Sequence, residues 1–172
     1  MDTSGDAVRQ GTLAGLYRVH AAQATRFAYL LTGDQETAAD LVQEAFFRIT
    51  RRFGDLRNPD AFWLYLRRTI VNLWNSELRR EYRHRALVAS LHEGPAVAES
   101  DLPGSGRLDV WAAIESLPFP QRAVLVLRYY EDLSDSQIAD TLGCPVGTVK
   151  SRLSRALEAI HARIGGENDD EG

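Results

Sequence analysis

A strip of polar and aromatic side chains recurs at one-turn spacing through residues 58–85, NPDAFWLYLRRTIVNLWNSELRREYRHR. The strip combines guanidinium groups, carboxamides and a phenol ring, which suit contacts to phosphates and to unpaired bases. The same pattern also occurs on a solvated helix face that carries arginine for solubility. The strip alone therefore leaves both interpretations open. Its members are Tyr65, Arg68, Asn72, Asn75, Ser76, Arg79 and Arg83.

One long helix is needed to align these residues. Asn58 can cap it, and Pro59 suits the first turn, where a missing N–H costs nothing. No glycine or further proline follows up to Arg85, so the spacing predicts a helix over 59–85 of about seven turns. The opposite sector is apolar and predicts a buried face, made of Trp63, Leu66, Ile70, Val71, Leu73, Trp74 and Leu78.

Two amphipathic helices precede the long one, over 12–31 and 35–53, with Gly33 suited to the left-handed position between them. The three helices predict a compact all-α bundle. The first has a stripe of Leu13, Leu16, Tyr17, His20, Ala24, Phe27, Leu30 and Leu31. The second has a stripe of Ala38, Leu41, Val42, Ala45, Phe46, Ile49 and Phe53.

Phe47 does not belong to the apolar stripe of the second helix. It lies on the opposite side, beside Asp40, Gln43 and Arg51. An exposed phenylalanine among polar residues is a candidate hot spot for a protein partner. The alternative is that Phe47 packs on another part of the same domain.

A helix-turn-helix is indicated by SDSQIADTLGCPVGTVKSRLSRALEAIHARI, after shorter helices expected near 108–117 and over 121–130. Ser134 and Gln137 have capping-box spacing, and Gly143-Cys144-Pro145 supplies the turn. Arginine can reach guanine edges, serine and threonine can contact bases or phosphate, and lysine neutralises phosphate. A purely structural helical hairpin is the alternative. The outward residues are Thr148, Lys150, Ser151, Arg152, Ser154 and Arg155.

The chain's charge is unevenly distributed along its 172 residues. Residues 87–106 hold three acids and no lysine or arginine, and they predict a flexible acidic linker. The four acidic residues of the tail carry a charge of −4, which equals the formal net charge of the whole chain. The basic residues are concentrated in 79–85 and 150–163. The local charges therefore favour an anionic partner. We expect domains at 8–86 and 108–165, with a linker over 87–107 and an acidic disordered tail over 166–172.

Several classes of function find no support in the sequence. The four histidines are scattered, one cysteine cannot form an internal disulfide, and no glycine-rich phosphate cradle occurs. We therefore expect no catalytic residues, no metal site and no cofactor. With no membrane-length apolar run and no signal-peptide core, a cytoplasmic protein is expected.

The chain resembles an extracytoplasmic-function (ECF, group 4) sigma factor of the sigma-70 family, most like actinobacterial members. The resemblance covers about residues 13–164. It rests on YLLTGDQETAADLVQEAFFRITRRF, FWLYLRRTIVNLWNSELRR and IADTLGCPVGTVKSRLSRALEAI, in this order and spacing. It implies a region 2 helical bundle, a region 4 helix-turn-helix and no region 3 domain.

The resemblance also implies partners and site residues. The polymerase-binding surface, which grips the β′ clamp helices, would be Asp40, Gln43, Glu44 and Phe47. The contacts that melt and read the −10 element would be Tyr65, Arg68, Asn72, Asn75, Arg79, Arg80 and Arg83. The −35 contacts would be Thr148, Lys150, Ser151, Arg152, Ser154 and Arg155, while region 4 touches the β flap. An anti-sigma factor is a further implied partner.

Two alternatives remain open at this stage. An autonomous helix-turn-helix regulator would need only duplex DNA, but it leaves the Phe47 surface and the polar strip without a role. A helical protein that only sequesters a partner would leave the outward face at 148–155 without a role. The acidic linker near the RNA-exit path, acting as a nucleic-acid mimic, is a further hypothesis.

Overall fold

Seven helices account for most of residues 13–52, 61–91 and 107–165, the parts of the chain that the computed structural model describes. No strand occurs in these ranges, so the expected all-α class is confirmed. In chain order the helices are α1 (Leu13–Thr32), α2 (Gln35–Arg52), α3 (Phe62–Leu91), α4 (Arg107–Glu115), α5 (Phe119–Tyr129), α6 (Asp135–Leu142) and α7 (Val146–Gly165).

The first of two units ends at Asn75, part-way along α3. Its core is aromatic and aliphatic, and the start of α3 packs into it through Phe62, which is fully buried. The Phe62 ring lies 5.5 Å from that of Phe46, and Trp63 lies edge-on to Phe27 at 6.1 Å. Each fully buried side chain of this size contributes about 1.5–3 kcal/mol to folding. The other fully buried large residues are Leu16, Phe27, Leu31, Leu66 and Ile70.

The connection between α1 and α2 is set by two local features. Gly33 adopts a φ of 78°, as predicted, and its N–H donates to the Tyr29 carbonyl at 2.8 Å. Asp34 then caps α2, because its Oδ1 accepts the Thr37 backbone N–H at 2.7 Å. That hydrogen bond to the charged form is the main cause that lowers the pKa of Asp34. The short connection holds α1 against α2.

Helix α3 extends further than the sequence analysis predicted. It continues to Leu91, so residues 87–91 are helical and the expectation that the linker starts at 87 is wrong. Alanine and leucine in ALVASL are strong helix formers, and no glycine or proline intervenes before Gly94. Residue 107, the last residue of the expected linker, is also helical, because α4 begins there. Asn58, Pro59, the expected linker at 92–106 and the expected tail at 166–172 lie outside the described residues.

The second unit, from Ser76 onward, contains α4–α7. Helices α4, α5 and α6 each pack against α7. On α7, Ala156 is fully buried and belongs to the same core cluster as Leu117 and Leu125. Helix α5 begins at Phe119, two residues before the predicted start, with Pro120 inside its first turn. Proline is accepted there because the first N–H groups of a helix have no intrahelical partner.

Candidate nucleic-acid interface

The polar face of α2 presents the residues that the sequence analysis grouped around Phe47. Phe47 is 55% exposed, whereas the adjacent Phe46 is 5% exposed and belongs to the core. Spacings of three, four and seven residues place Asp40, Gln43 and Glu44 on the same side of the helix, and all three are exposed. The prediction that Phe47 lies outside the core stripe is confirmed.

The Phe47 ring is held by a neighbour on its own helix. The Arg51 guanidinium carbon lies 5.5 Å from the ring centroid, a cation–π contact. One turn away, Glu44 Oε1 accepts from Arg48 Nε at 2.6 Å. The face therefore carries an apolar ring covered on one side by Arg51, next to a Glu44–Arg48 ion pair.

A shallow groove of about 420 Å³ lies beside Phe47, between α1 and α2. Tyr17 forms part of it and is 45% exposed, although the sequence analysis placed it in the apolar stripe of α1. Its ring packs edge-on against Phe46 at 4.9 Å, so only one side of the tyrosine is covered. The remaining lining residues are Ala14, Arg18, Phe46, Phe47 and Thr50.

The polar strip of α3 faces away from the buried sector, as predicted. Asn75 is half-buried, and the other members are exposed: Tyr65, Arg68, Asn72, Ser76, Arg79 and Arg83. The Arg83 Nε donates to the Arg79 carbonyl at 3.3 Å, which aligns that side chain along the helix. Arg80 is also exposed, but its helical position lies to the side of the strip. Ile70 and Leu73 are buried on the other side.

His20, which the sequence places in the stripe of the first helix, is half-buried and packs against aromatic rings at the start of α3. Its ring stacks on Trp63 at 5.9 Å with an interplanar angle of 15°, and it lies 5.2 Å from Phe62. Its Nδ1 is buried and has no hydrogen-bond partner among the residues that the structure describes, and burial lowers the pKa of His20. Leu16 and Ala24, which are both buried, lie four residues before and four residues after His20, so all three residues are on the same face of α1.

The helix-turn-helix is formed by α6, residues 143–145 and α7. Ser134 and Gln137 make the predicted capping box at the start of α6. Gly143 ends the helix with a φ of 62°, and the N–H of Cys144 donates to the Ala139 carbonyl at 3.1 Å. The turn is therefore fixed by backbone hydrogen bonds and one left-handed residue.

The N-terminal half of α7 presents most of the predicted outward residues to solvent. Lys150, Ser151, Ser154 and Arg155 are exposed, while Thr148 is half-buried. Two hydroxyls are engaged locally, since Ser151 Oγ donates to the Thr148 carbonyl and Ser154 Oγ donates to Glu158 Oε1.

Arg152 departs from the outward placement that the sequence analysis gave it. It is half-buried, and its Nη1 lies 3.7 Å from Cys144 Sγ. The physical reason is its spacing, three residues after buried Val149 and four before buried Ala156, which puts it at the edge of the core stripe. Cys144 is itself half-buried rather than buried.

Two arginines fix the helices behind α7, and the sequence analysis assigned them no role. Arg128 donates to the Leu133 carbonyl and to Asp135 Oδ1, both at 2.8 Å, which joins the end of α5 to the start of α6. Arg122 donates to the Glu115 and Leu117 carbonyls at 2.6 and 3.1 Å, and burial lowers its pKa. Both therefore satisfy carbonyl oxygens at helix ends or turns.

Metal sites and membrane spans are not found within the described residues. No group of three or more histidine, cysteine, aspartate or glutamate side chains there could hold a metal ion. None of the helices at 13–52, 61–91 and 107–165 is long and apolar enough to cross a bilayer.

Two known family models match the chain, one over most of the first unit and the part of α3 that follows it, and one over α4–α7. The model for sigma-70 region 2 matches residues 16–84, and the model for sigma-70, region 4 matches residues 107–160. The chain is also 36% identical over 170 residues to the ECF RNA polymerase sigma factor SigL of Mycobacterium tuberculosis, covering 94% of each chain. The chain belongs to the ECF sigma factors of the sigma-70 family.

A second relative and a solved structure extend this assignment. The sigma factor is 36% identical over 165 residues to the ECF RNA polymerase sigma factor SigE of Mycolicibacterium smegmatis, covering 92% of this chain and 64% of that relative. These mycobacterial relatives confirm the expected likeness to actinobacterial members. The fold also matches the sigma factor RpoE from Bartonella quintana, solved with the anti-sigma factor NepR, at a TM-score of 0.62 and 23% identity, covering 87% of this chain and 94% of that chain. Neither family model describes an enzyme.

Proposed function

We propose that this sigma factor binds core RNA polymerase and directs promoter-specific initiation by recognising the −35 and −10 elements and melting DNA. The observation that carries the proposal is the coexistence of three differently built exposed faces. One is the Phe47 face of α2, one is the basic and aromatic strip of α3, and one is the outward face of α7. A protein partner suits the first, and DNA suits the other two.

The polymerase contact is assigned to Asp40, Gln43, Glu44 and Phe47. Phe47 offers exposed aromatic area that a partner can bury, and the surrounding polar groups suit the rim of an interface. Within the polymerase, the β′ clamp helices are the proposed site for this face. The β flap is the proposed site for the second unit.

The −10 contact is assigned to the strip of α3 together with Arg80. Guanidiniums bind phosphates, whereas the Tyr65 ring and the carboxamides of Asn72 and Asn75 suit stacking and hydrogen bonding to an unpaired base. Melting a base pair costs a few kcal/mol, which such contacts offset. No ATP is required in this scheme, because binding energy alone holds the bases apart.

The −35 contact is assigned to the exposed residues of α7. Arg155 and Ser151 lie about one helical turn apart, which matches the placement of a recognition helix in the major groove. Lys150 and Thr148 complete the face, with Lys150 suited to a phosphate. Ser154 and Arg152 complete the predicted set; like Ser151, both already have partners within the chain.

An anti-sigma factor is the further partner that we propose. Such a protein would restrain the sigma factor by covering the faces that polymerase and DNA require. The exposed apolar area at Phe47 and in the adjoining groove supports this, because a competing helix could bury it.

Reconstituted transcription tests the proposed function. The full chain is mixed with sigma-free core RNA polymerase and a promoter library, and run-off transcripts are sequenced. Selective initiation that requires the chain supports the proposal. Sequence-specific binding to duplex DNA without polymerase, together with no stimulated initiation, would instead favour an autonomous helix-turn-helix regulator, for which α6 and α7 would suffice.

A further inference from the structure

The side chain of Arg152 is placed differently from those of its neighbours on α7. Ser151 and Arg155 are exposed, whereas Arg152 is half-buried. Its flanking positions at one-turn spacing, Val149 and Ala156, are both fully buried. Arg152 therefore lies where the recognition helix meets the rest of its unit, and not on the part of the helix farthest from the core.

The guanidinium of Arg152 reaches back to the turn between the two helices. Its Nη1 lies 3.7 Å from Cys144 Sγ, within the range of a hydrogen bond to sulfur. Side chains on a helix point toward its N-terminus, so a residue in the second turn of α7 can contact residues that precede the helix. The contact thus joins the turn to α7 through side chains.

The backbone of the turn joins α6 to the first residues of α7. Gly143 and Cys144 are bonded back to α6 through the Ala139 carbonyl. Pro145 accepts the N–H of Thr148 at 2.9 Å, which starts α7. Further along, α7 is held by its packing against α4, α5 and α6. Arg152 adds to this packing a side-chain connection to the turn itself, which restricts rotation of α7 relative to the turn.

We propose that Arg152 is a positioning residue of the helix-turn-helix and not a DNA contact. By bonding to Cys144, it fixes the rotation of α7 that presents Ser151 and Arg155 to the −35 element. The proposal rests on the proposed function, because it assumes that α7 reads DNA. It replaces the family-based assignment of Arg152 as a direct contact.

The test measures promoter binding by the full chain assembled with core RNA polymerase. The probes are a promoter selected from a random library by the wild-type assembly and the same promoter with its −35 element scrambled. Dissociation constants are measured over a potassium chloride series. Arg152→Met retains length and packing but has no donor, Cys144→Ala has no side-chain acceptor, and Cys144→Ser retains one. Arg155→Ala is the matched control for an exposed arginine on the same helix.

The proposal predicts a specific pattern. Arg152→Met and Cys144→Ala each weaken −35-dependent binding by about fivefold, a typical effect of one hydrogen bond. Both keep the wild-type salt dependence, and the double variant is no weaker than the worse single variant, because the two residues act as a pair. Cys144→Ser stays near wild type. Arg155→Ala instead reduces the magnitude of the salt slope, which is the slope of the logarithm of the binding constant against the logarithm of the salt concentration, by about one, or it relaxes the preference at one base pair.

Two results would overturn the proposal while leaving the proposed function intact. One is a reduced salt slope, or a lost preference at a single base pair, in Arg152→Met. The other is a double variant in which the losses of −35-dependent binding caused by Arg152→Met and Cys144→Ala multiply, because independent losses would mean that the two residues do not act as a pair. If Arg152→Met does not fold by its melting curve, Cys144→Ala replaces it as the test: unchanged −35-dependent binding by a folded Cys144→Ala assembly would contradict the proposal. If the wild-type assembly does not distinguish the scrambled promoter, the proposed function fails and this proposal fails with it.

Discussion

Phe47 and Phe46 are adjacent in sequence and occupy opposite environments. Phe46 contacts the rings of Tyr17 and Phe62, while Phe47 is more than half exposed beneath the Arg51 guanidinium. Truncating the exposed ring removes little from the core. The same truncation removes most of the apolar area that the α2 face can offer to a partner.

Phe47→Ala is therefore expected to weaken binding to core RNA polymerase by about 1–3 kcal/mol without unfolding the chain. Binding is measured by fluorescence anisotropy of the labelled chain titrated with core, and folding by circular dichroism. Val19→Ala is the matched control, because Val19 is another exposed apolar residue, on α1. A large loss of melting temperature in Phe47→Ala would show that the residue is part of the fold.

Arg155 is an exposed arginine on the proposed recognition face. Arg155→Ala is expected to reduce the preference for transcribing a template with an intact −35 element over one with a scrambled element. The expected loss of discrimination is about 1–3 kcal/mol, which is typical of one base contact. Binding to core polymerase should not change, since the residue lies on α7 and the proposed clamp contact lies on α2. Run-off transcription on intact and scrambled −35 templates measures the first effect, and unaltered selectivity would remove Arg155 from the contact set.

His20 gives the first unit a pH dependence whose sign follows from burial. Because burial lowers its pKa below the ordinary value of 6.5, the unfolded chain takes up a proton at higher pH than the folded chain. This contribution to stability is complete above pH 6.5 and declines as the pH falls through that value toward the lowered folded pKa. Acidification should therefore destabilise the first unit.

Urea unfolding at pH 7.5 and 5.5, followed by tryptophan fluorescence, checks this expectation. His20→Gln should show a smaller loss of stability on acidification than wild type. His161→Gln serves as the control, since His161 is exposed on α7. Equal losses in wild type and His20→Gln would contradict the role given to burial of His20.

A glycine follows the end of α6 and another lies in the first turn of α7, and the two have different backbone conformations. Gly143 has a φ of 62°, whereas Gly147 lies in the first turn of α7, and an added Cβ would meet no atom within 4 Å at either position. Steric contacts are thus equal, and backbone conformation alone separates the two sites. The left-handed conformation costs a non-glycine residue about 1–2 kcal/mol, while alanine is favoured over glycine within a helix.

Opposite changes in stability are therefore expected for the two substitutions. Gly143→Ala should lower the free energy of unfolding by about 1–2 kcal/mol. Gly147→Ala should raise it by up to about 1 kcal/mol. Thermal denaturation of the two variants side by side measures the difference. A matching sign in both would mean that the turn does not depend on the left-handed residue.

Local sequence signals predicted the elements that depend on local chemistry. The capping box at Ser134, the left-handed Gly33, the turn at Gly143 and the separation of Phe47 from its core stripe all follow from residue type and spacing, and all are observed. The predicted end of α3 was too early, because the prolines, glycines and missing positive charge of 87–106 predicted a linker from residue 87 onward. Backbone propensity in ALVASL continues the helix regardless of charge.

Contacts between elements could not be predicted in the same way. The pairing of Arg128 with Asp135 and that of Arg152 with Cys144 depend on how helices are oriented around a turn. A helical wheel gives the direction of a side chain and not the group that it meets. The candidate site was therefore predicted as a set of faces, whereas the roles of individual arginines required the structure.

For the whole molecule, net charge is a poor guide to its partners. A formal charge of −4 argues against nucleic-acid binding, yet exposed arginines line α3, and Lys150 and Arg155 are exposed on α7. Two small units that each contact DNA weakly gain affinity when a common partner holds them at promoter spacing, because the second contact then occurs at high effective concentration. Core RNA polymerase is the partner that the proposed function assigns to this role.

Co-elution of the full chain with sigma-free core RNA polymerase on size-exclusion chromatography tests whether polymerase is the shared partner. We expect a stoichiometric complex at micromolar concentrations, and we expect the free chain to bind the same promoter duplex much more weakly than the complex does. Failure to bind core, together with tight and sequence-specific binding of the free chain to duplex DNA, would show that the protein acts without polymerase.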